Sequence, residues 1–386
     1  MKGTKMYQDG FVAVFTEQEA FLDCIRERLA NSFWDRGKTR NLRFAELTED
    51  GPIAERIREK CSREGTDEGI IADTISNTGL VLRVRNEYYP VRNCAIRSIL
   101  DRAGISGCGL RRVSRNIYAR ILNDCLKVAK GDALLRISEG KVSAVLGGDA
   151  GDYSVIDAEK LYMHTIDYLN NNFKGVSYLG GFYEHDKVSA IWELSGEKKL
   201  LEAYKKELDM LGVLGMRPED MTPVVRITTS DTGAGGANIY PMLLCNRGTR
   251  TVMLGDALRL EHKNGADIAE YDKQLRMLYG KYQLALGNLS RLLSVEIANP
   301  INCMKGVMDK LGIARRYAAE AAELFEAQNG ADPCTAHDIY YGISEVLYLM
   351  ACGGEEGGLV TAMEEKVARA LSLKWEEYDV PGKYRW

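Results

Sequence analysis

The chain is poor in histidine, in paired cysteines and in long apolar runs. Its four histidines, His164, His185, His262 and His337, lie far apart in sequence, and none sits in an H-E-x-x-H or H-x-E context. A metal site built on histidine is therefore not expected. The nine cysteines are scattered, odd in number and without a C-x-x-C pair. That argues against a disulfide framework or a zinc ribbon and for buried thiols. No apolar run approaches the roughly 18 residues of a spanning helix. Residues 1–10, MKGTKMYQDG, contain no apolar signal-peptide core. These absences lead to the expectation of a cytoplasmic protein with no membrane association, no metal and no cofactor.

Catalytic signatures are missing too. There is no G-x-x-x-x-G-K-[ST], no G-x-G-x-x-G, no G-x-S-x-G and no Cys/His nucleophile pattern. No residue set supports an enzyme. The loop Ser230-Asp231-Thr232-Gly233-Ala234-Gly235-Gly236 is rich in glycine but leads into a predicted strand. It reads better as a strand connection using positive φ than as a phosphate cradle.

What the sequence does have is a basic island. The chain carries a net charge of −4 over 386 residues, yet residues 80–130 hold 11 Lys+Arg against 3 Asp+Glu, leaving −12 for the remainder. Nine of these cations are arginines: Arg83, Arg85, Arg92, Arg97, Arg102, Arg111, Arg112, Arg115 and Arg120. Arginine offers a planar fork of donors that matches phosphate. Tyr88, Tyr89 and Tyr118 are interleaved with them. Cations for a backbone and aromatic faces for bases are the ingredients of single-strand nucleic-acid binding. The plainer reading is an ordinary segment whose arginines are solvated or paired with acids elsewhere.

The pattern along the chain predicts an α+β fold. A central antiparallel sheet rich in hairpins carries helices on one face, followed by an all-helical C-terminal region. Residues 1–70 read as a helical or irregular segment, with 35–67 as polar surface structure or an arm. Residues 71–265 read as the α+β core and 266–386 as the helical domain. Within the island, residues 79–86 alternate as a strand, which would place Arg83 and Arg85 on one face. Helices are predicted at 91–103 and 114–130. Hairpins are predicted across Glu139-Gly140 and Glu184-His185-Asp186. Further strands fall at 222–229, 237–245 and 250–254, and a long helix at 267–298. Thr335 with Asp338 has the spacing of a capping box.

Two groups of residues resemble a known family. The first is Asp73-Thr-Ile-Ser-Asn-Thr-Gly79 followed by Val84-Arg-Asn-Glu-Tyr-Tyr-Pro-Val-Arg-Asn93. The second is Ser230-Asp231-Thr232-Gly233, then Cys245-Asn246, then His262-Lys263. Together they look like the phage/plasmid-like proteins grouped under domain of unknown function 932. The chain departs from that pattern at Arg247 and at Lys263. The resemblance implies a mobile-element setting and supplies no catalytic residues.

The expectation is a phage or plasmid protein that binds or anneals single strands in replication or recombination, DNA rather than RNA, with oligomerisation along the strand. Its contacts would come from Arg83, Arg85, Tyr88, Tyr89, Arg92, Arg97, Arg111, Arg112, Arg115, Tyr118 and Arg120. The alternative is a mobile-element protein that binds and modulates a host or defence protein, its acidic remainder facing a basic partner. A phosphate-handling enzyme built on the Gly/Asp loops is the third reading.

Overall fold

Residues 5–46, expected to be helical or irregular, supply one strand to each of three sheets. A computed structural model describes residues 5–107, 109–211, 220–245, 250–355, 357–384 and 386. In chain order the first elements are β1 (Val12–Phe15), α1 (Gln18–Ala30), β2 (Ser32–Lys38) and β3 (Arg43–Glu46). They were not evident as strands because β2 and β3 carry Asp35, Arg36, Lys38, Arg43 and Glu46. Polar residues at sheet edges give no hydrophobic run, and charged edges are how sheets avoid pairing with other chains.

The basic island follows two helices, α2 (Pro52–Glu64) and α3 (Gly69–Ser76). It forms β4 (Leu80–Val84), β5 (Glu87–Pro90), α4 (Ala95–Ala103) and α5 (Arg115–Val128). A hairpin, β6 (Asp132–Ser138) and β7 (Lys141–Gly147), comes next. Its two turn residues, Glu139 and Gly140, both have positive φ, 51° and 72°, as a two-residue hairpin turn of this twist requires. Two three-stranded antiparallel sheets result, in the orders β3-β4-β5 and β2-β6-β7. Between them and α4 and α5 lies a core of Leu80, Leu82, Ile99, Leu122, Leu126, Leu135 and Val145. α2 and α3 close a smaller cluster on Val81 with Ile57, Cys61, Ile70 and Ile71. β4 thus buries Leu80, Leu82 and Val84 on one face and Val81 on the other, where Arg83 is left exposed.

The larger body begins with α6 (Ala158–Asn172), whose N-cap Asp157 accepts from the Lys160 amide. Then come β8 (Val176–Glu184), β9 (Val188–Leu194), α7 (Glu202–Leu211), β10 (Thr222–Thr229), β11 (Ala237–Cys245), β12 (Arg250–Met253) and β13 (Leu258–Leu260). The sheet runs β1-β8-β9-β10-β11-β12, with β13 also paired to β11. Every pairing is antiparallel. The fold is α+β. Tyr162 of α6 donates to the Val188 and Ile227 carbonyls, and its ring meets Phe21 of α1 edge-on.

The C-terminal third is helical apart from a two-residue ladder, β14 (Glu296–Ile297) with β15 (Cys334–Thr335). Its helices are α8 (Ile268–Arg276), α9 (Leu278–Arg291), α10 (Pro300–Lys310), α11 (Arg315–Asn329), α12 (Ala336–Cys352) and α13 (Gly357–Ala368). The single helix expected over 267–298 is broken at Met277. Pro300 begins α10 instead of only ending its predecessor, consistent with the tolerance of proline in a first helical turn. The Thr335–Asp338 capping box forms as predicted. These helices share one continuous core with the seven-stranded sheet, α1 and α6. Among the described residues, no helix is long and apolar enough to cross a membrane.

Candidate nucleic-acid interface

The basic island divides into an exposed part and a buried part. β4 places Arg83 directly opposite Arg43 of β3 and opposite Tyr88 of β5. Residues directly opposite in a ladder share a face, so Arg43, Arg83 and Tyr88 form one row across three strands. Arg43 and Arg83 are exposed and Tyr88 is half-buried. The Arg43 Nη1 donates to the Arg40 and Leu42 carbonyls, each at 2.7 Å, and Arg83 Nε donates to the Arg85 carbonyl at 3.2 Å. From α2, the Arg56 guanidinium lies over the Tyr88 ring, 5.8 Å from its centre. Among the described residues no carboxylate pairs with Arg43, Arg56 or Arg83. Like charges opposite one another cost stability, and no carboxylate among the described residues offsets them.

Arg85 is not on that face. It lies beyond the end of β4, in the turn to β5, at φ 56°. The strand alternation that would have aligned it with Arg83 stops at Val84. Its guanidinium pairs with Asp35 of β2 at 2.8 Å. Tyr89 reaches the same side: Phe33 of β2 meets it edge-on at 6.1 Å, and the Lys60 ammonium of α2 sits 3.5 Å from the centre of its ring. Between α2, β5 and the β6–β7 turn opens a cavity of ≈ 570 Å³ walled by Tyr7, Phe33, Tyr88 and Tyr89, with Lys60 and Glu139 among its polar groups.

Two of the predicted contact residues are withdrawn from any ligand. Tyr118 is buried in the smaller core. Arg92 is 0% exposed and clamps residues 6–8, donating to the Met6, Tyr7 and Gln8 carbonyls and to Ser138 O. Burial and the neighbouring Arg28 push its pKa down, to about 10. Its Nη1 lies 2.8 Å from His185 Nε2, and Arg28 Nη2 lies 3.1 Å from His185 Nδ1. Burial and these two guanidinium groups drive the imidazole down to about 2, so His185 is neutral in the fold. Alongside, Lys141 is 0% exposed and is held by Asp9 at 2.9 Å and by Asp73. Arg92 and Lys141 thus tie the N-terminal segment to both bodies of the molecule. The tyrosine-proline stretch of the island owes Arg92 to this joint.

The remaining island arginines spread out. Arg97 on α4, Arg112 in the turn before α5 and Arg120 on α5 are exposed. Arg115 is half-buried, donates to the Asn77 carbonyl at 2.9 Å and lies against Gly79. The Arg111 side chain lies outside the described residues.

The second group singled out in the sequence converges elsewhere. Asp231 pairs with Arg136 of β6 at 2.7 Å, and the Arg136 guanidinium lies 5.1 Å from the Trp34 ring. His262 stacks on Tyr153 at 5.3 Å, and the Tyr153 hydroxyl donates to the Ser230 carbonyl. His262 Nδ1 lies 3.1 Å from the Ser154 carbonyl, and burial lowers its pKa. Gly233 sits at φ 75°, where a side chain would meet Leu146. Burial raises the Cys245 thiol to about 12. Asn246 lies outside the described residues. Lys263 is exposed beside Glu261 at 3.1 Å. This is a joint between the small β2-β6-β7 sheet and the end of the large one, and its polar groups are spent on one another.

Arg43, Arg56, Lys60, Phe33 and Glu139 were not anticipated. The alternation of Arg43-Phe44-Ala45-Glu46 was the one local hint, since it marks a short strand with a solvated face. In comparisons with known proteins, no family model, no curated protein and no solved structure matched the chain.

Proposed function

We propose that the protein binds single-stranded nucleic acid, DNA in preference to RNA, across the β3-β4-β5 sheet. The observation that carries this reading is the row Arg43–Arg83–Tyr88, two cations and an aromatic ring side by side without a carboxylate partner. The arginines would hold two successive phosphates while Tyr88 offers a stacking face, worth about 1–3 kcal/mol per base. The overall charge of −4 does not oppose this, because local potential governs approach. Similarity to phage/plasmid-like proteins at the quoted motifs supports a role in replication or recombination of a mobile element.

Fluorescence anisotropy with labelled oligothymidylate at low salt tests the proposal. The R43E/R83E variant should lose binding. The milder R43Q/R83Q variant should flatten the slope of log K against log salt by about 1.4, the share of two phosphate contacts on a single strand. Wild-type protein that fails to bind at low salt, or a variant pair with unchanged slope, overturns it.

One observation favours the alternative of a protein-binding modulator. Between α7 and α9 runs a groove of ≈ 710 Å³ that includes Met210, Leu211 and Leu286, and Met210 and Leu211 are exposed. Apolar exposure of this kind marks contact surfaces. A stoichiometric partner retained from nuclease-treated host lysate by the wild type, and lost by M210E/L211E, would favour this reading over the first.

A further inference from the structure

The seven-stranded sheet ends on a strand unlike the other edges of the molecule. β1 pairs only with β8. Among the described residues, no group outside that ladder bonds to the backbone of Val12, Ala13, Val14 or Phe15. Other edges are charged or covered. β2 carries Asp35, Arg36 and Lys38, and Asn123 occupies the outer side of β3. On β12 the Met253 carbonyl accepts from Tyr340 and Arg250 pairs with Glu345, both of α12. Native sheets blunt their edges by such means. β1, Val-Ala-Val-Phe, carries no charge and no proline.

The side chains of β1 divide by face. Ala13 and Phe15 pack toward the large core, whereas Val12 and Val14 are 43% and 61% exposed. Phe182, opposite Val14 on β8, continues the apolar face. The backbone divides in the same way. In an antiparallel ladder each residue directs its N–H and C=O to one neighbour, and alternate residues to alternate sides. The Phe15 carbonyl lies against Gly180 of β8, so Ala13 and Phe15 bond inward. Val12 and Val14 then direct their N–H and C=O groups out of the sheet edge.

The occupant that fits is an extended, uncharged strand with apolar side chains on one face, and β1 is itself such a strand. Antiparallel pairing of β1 with β1 of a second copy sets Val12 opposite Val14 of that copy, with Ala13 on the two-fold axis. In this register every outward N–H and C=O of Val12 and Val14 finds a partner. The valines of both copies fall on one face as direct cross-strand pairs. The contact is isologous and closes at two copies. Charge on β2 and side-chain cover on β3 and β12 oppose growth into a filament. We propose that the protein forms a two-fold dimer through β1, which joins two seven-stranded sheets into one continuous sheet. A seam of one four-residue strand per copy is small beside the roughly 1,200–2,000 Å² of a stable interface, so dimerisation should depend on concentration.

Dimerisation through β1 needs no nucleic acid, so the test uses the full chain alone. Sedimentation equilibrium should give a mass that rises from 43.0 kDa toward twice that value as concentration is raised. V12K/V14K and V12E/V14E, substituted at exposed positions, should each stay at the monomer mass with unchanged circular dichroism. An equimolar mixture of the two should recover the doubled mass, because each lysine then faces a glutamate. Hydrogen exchange on the wild type reads the seam without a substitution. The Val12 and Val14 amides should exchange more slowly as concentration rises, while those of Ala13 and Phe15 stay protected throughout. Wild-type protein that stays at the monomer mass at every concentration, or a lysine variant that still dimerises, overturns the proposal. So does exchange at Val12 and Val14 that ignores concentration, even where a dimer forms. A mixture that remains monomeric overturns the pairing of Val12 with Val14.

Discussion

Arg83 and Arg92 come from one basic segment and could not be more differently placed. Arg83 stands on an open sheet face beside Arg43, with no carboxylate to neutralise it. Arg92 is fully buried, surrounded by carbonyls of residues 6–8 and by His185. Both respond to the same rule, that a guanidinium needs acceptors. Arg92 finds them in several buried carbonyls, and Arg83, exposed, has the Arg85 carbonyl among the described residues. A local excess of arginine is thus two populations, and only the solvated one bears on ligands.

The sharpest way to break this contrast is to remove a buried cation. K141A would strand Asp9 and Asp73, which it now holds. Truncating one side of a buried ion pair costs about 3–5 kcal/mol, and urea denaturation should show a loss of that size. A loss below about 1 kcal/mol would mean that the joint is not buried as described.

Two buried histidines, His185 in that joint and His337 on α12 beside Tyr204, predict a pH dependence. His185 is held down to about 2 and His337, by burial, to about 4, against an ordinary value of 6.5. Below pH 6.5 the unfolded chain takes up protons that the fold refuses. The stability these groups contribute is complete above 6.5 and is lost as pH falls. Melting temperature should therefore decline from pH 6.5 toward 4. The decline should be shallower in H337Q, whose position no longer titrates, even if its starting value is lower.

A smaller effect is expected at the edge of the arginine-bearing sheet. The Asn123 amide of α5 both accepts from the Phe44 N–H at 2.7 Å and donates to the Phe44 carbonyl at 2.8 Å, pairing with β3 as a strand would. N123A should cost about 1–3 kcal/mol through the unpaired backbone groups and weaken strand binding by loosening Arg43. The smallest effect belongs to the solvated population. R97A should change stability by no more than about 0.5 kcal/mol, since Arg97 is exposed on α4.

The parts of the fold legible in the sequence were those with turn chemistry or capping to announce them. Glu139-Gly140 fixed the β6–β7 hairpin, Asp157 fixed the start of α6, and the apolar strands β10 and β11 were bounded as predicted. β2 and β3 were not legible, because polar edge strands are defined by partners far away in sequence. The candidate site was half legible for the same reason. Arg83 and Tyr88 stood in the island, but Arg43 becomes their neighbour only through the β3–β4 register, and Glu139 only through the packing of a distant turn. Arg92, Arg115 and Tyr118 looked identical to solvated residues because a residue count carries no information on burial.

The N-terminal strand has a consequence for how the chain is made. β1 pairs Val12 with Glu184 and Phe15 with Gly181, so it is synthesised long before its partner. At a ribosomal pace of about 5–20 residues per second, residues 12–15 wait on the order of ten seconds before β8 emerges. The β2 and β3 strands find their partners sooner, at Ser138 and Arg83. The small sheets can therefore assemble first, with β1 and the Arg92-bound loop sealing the two bodies together as a late, long-range closure.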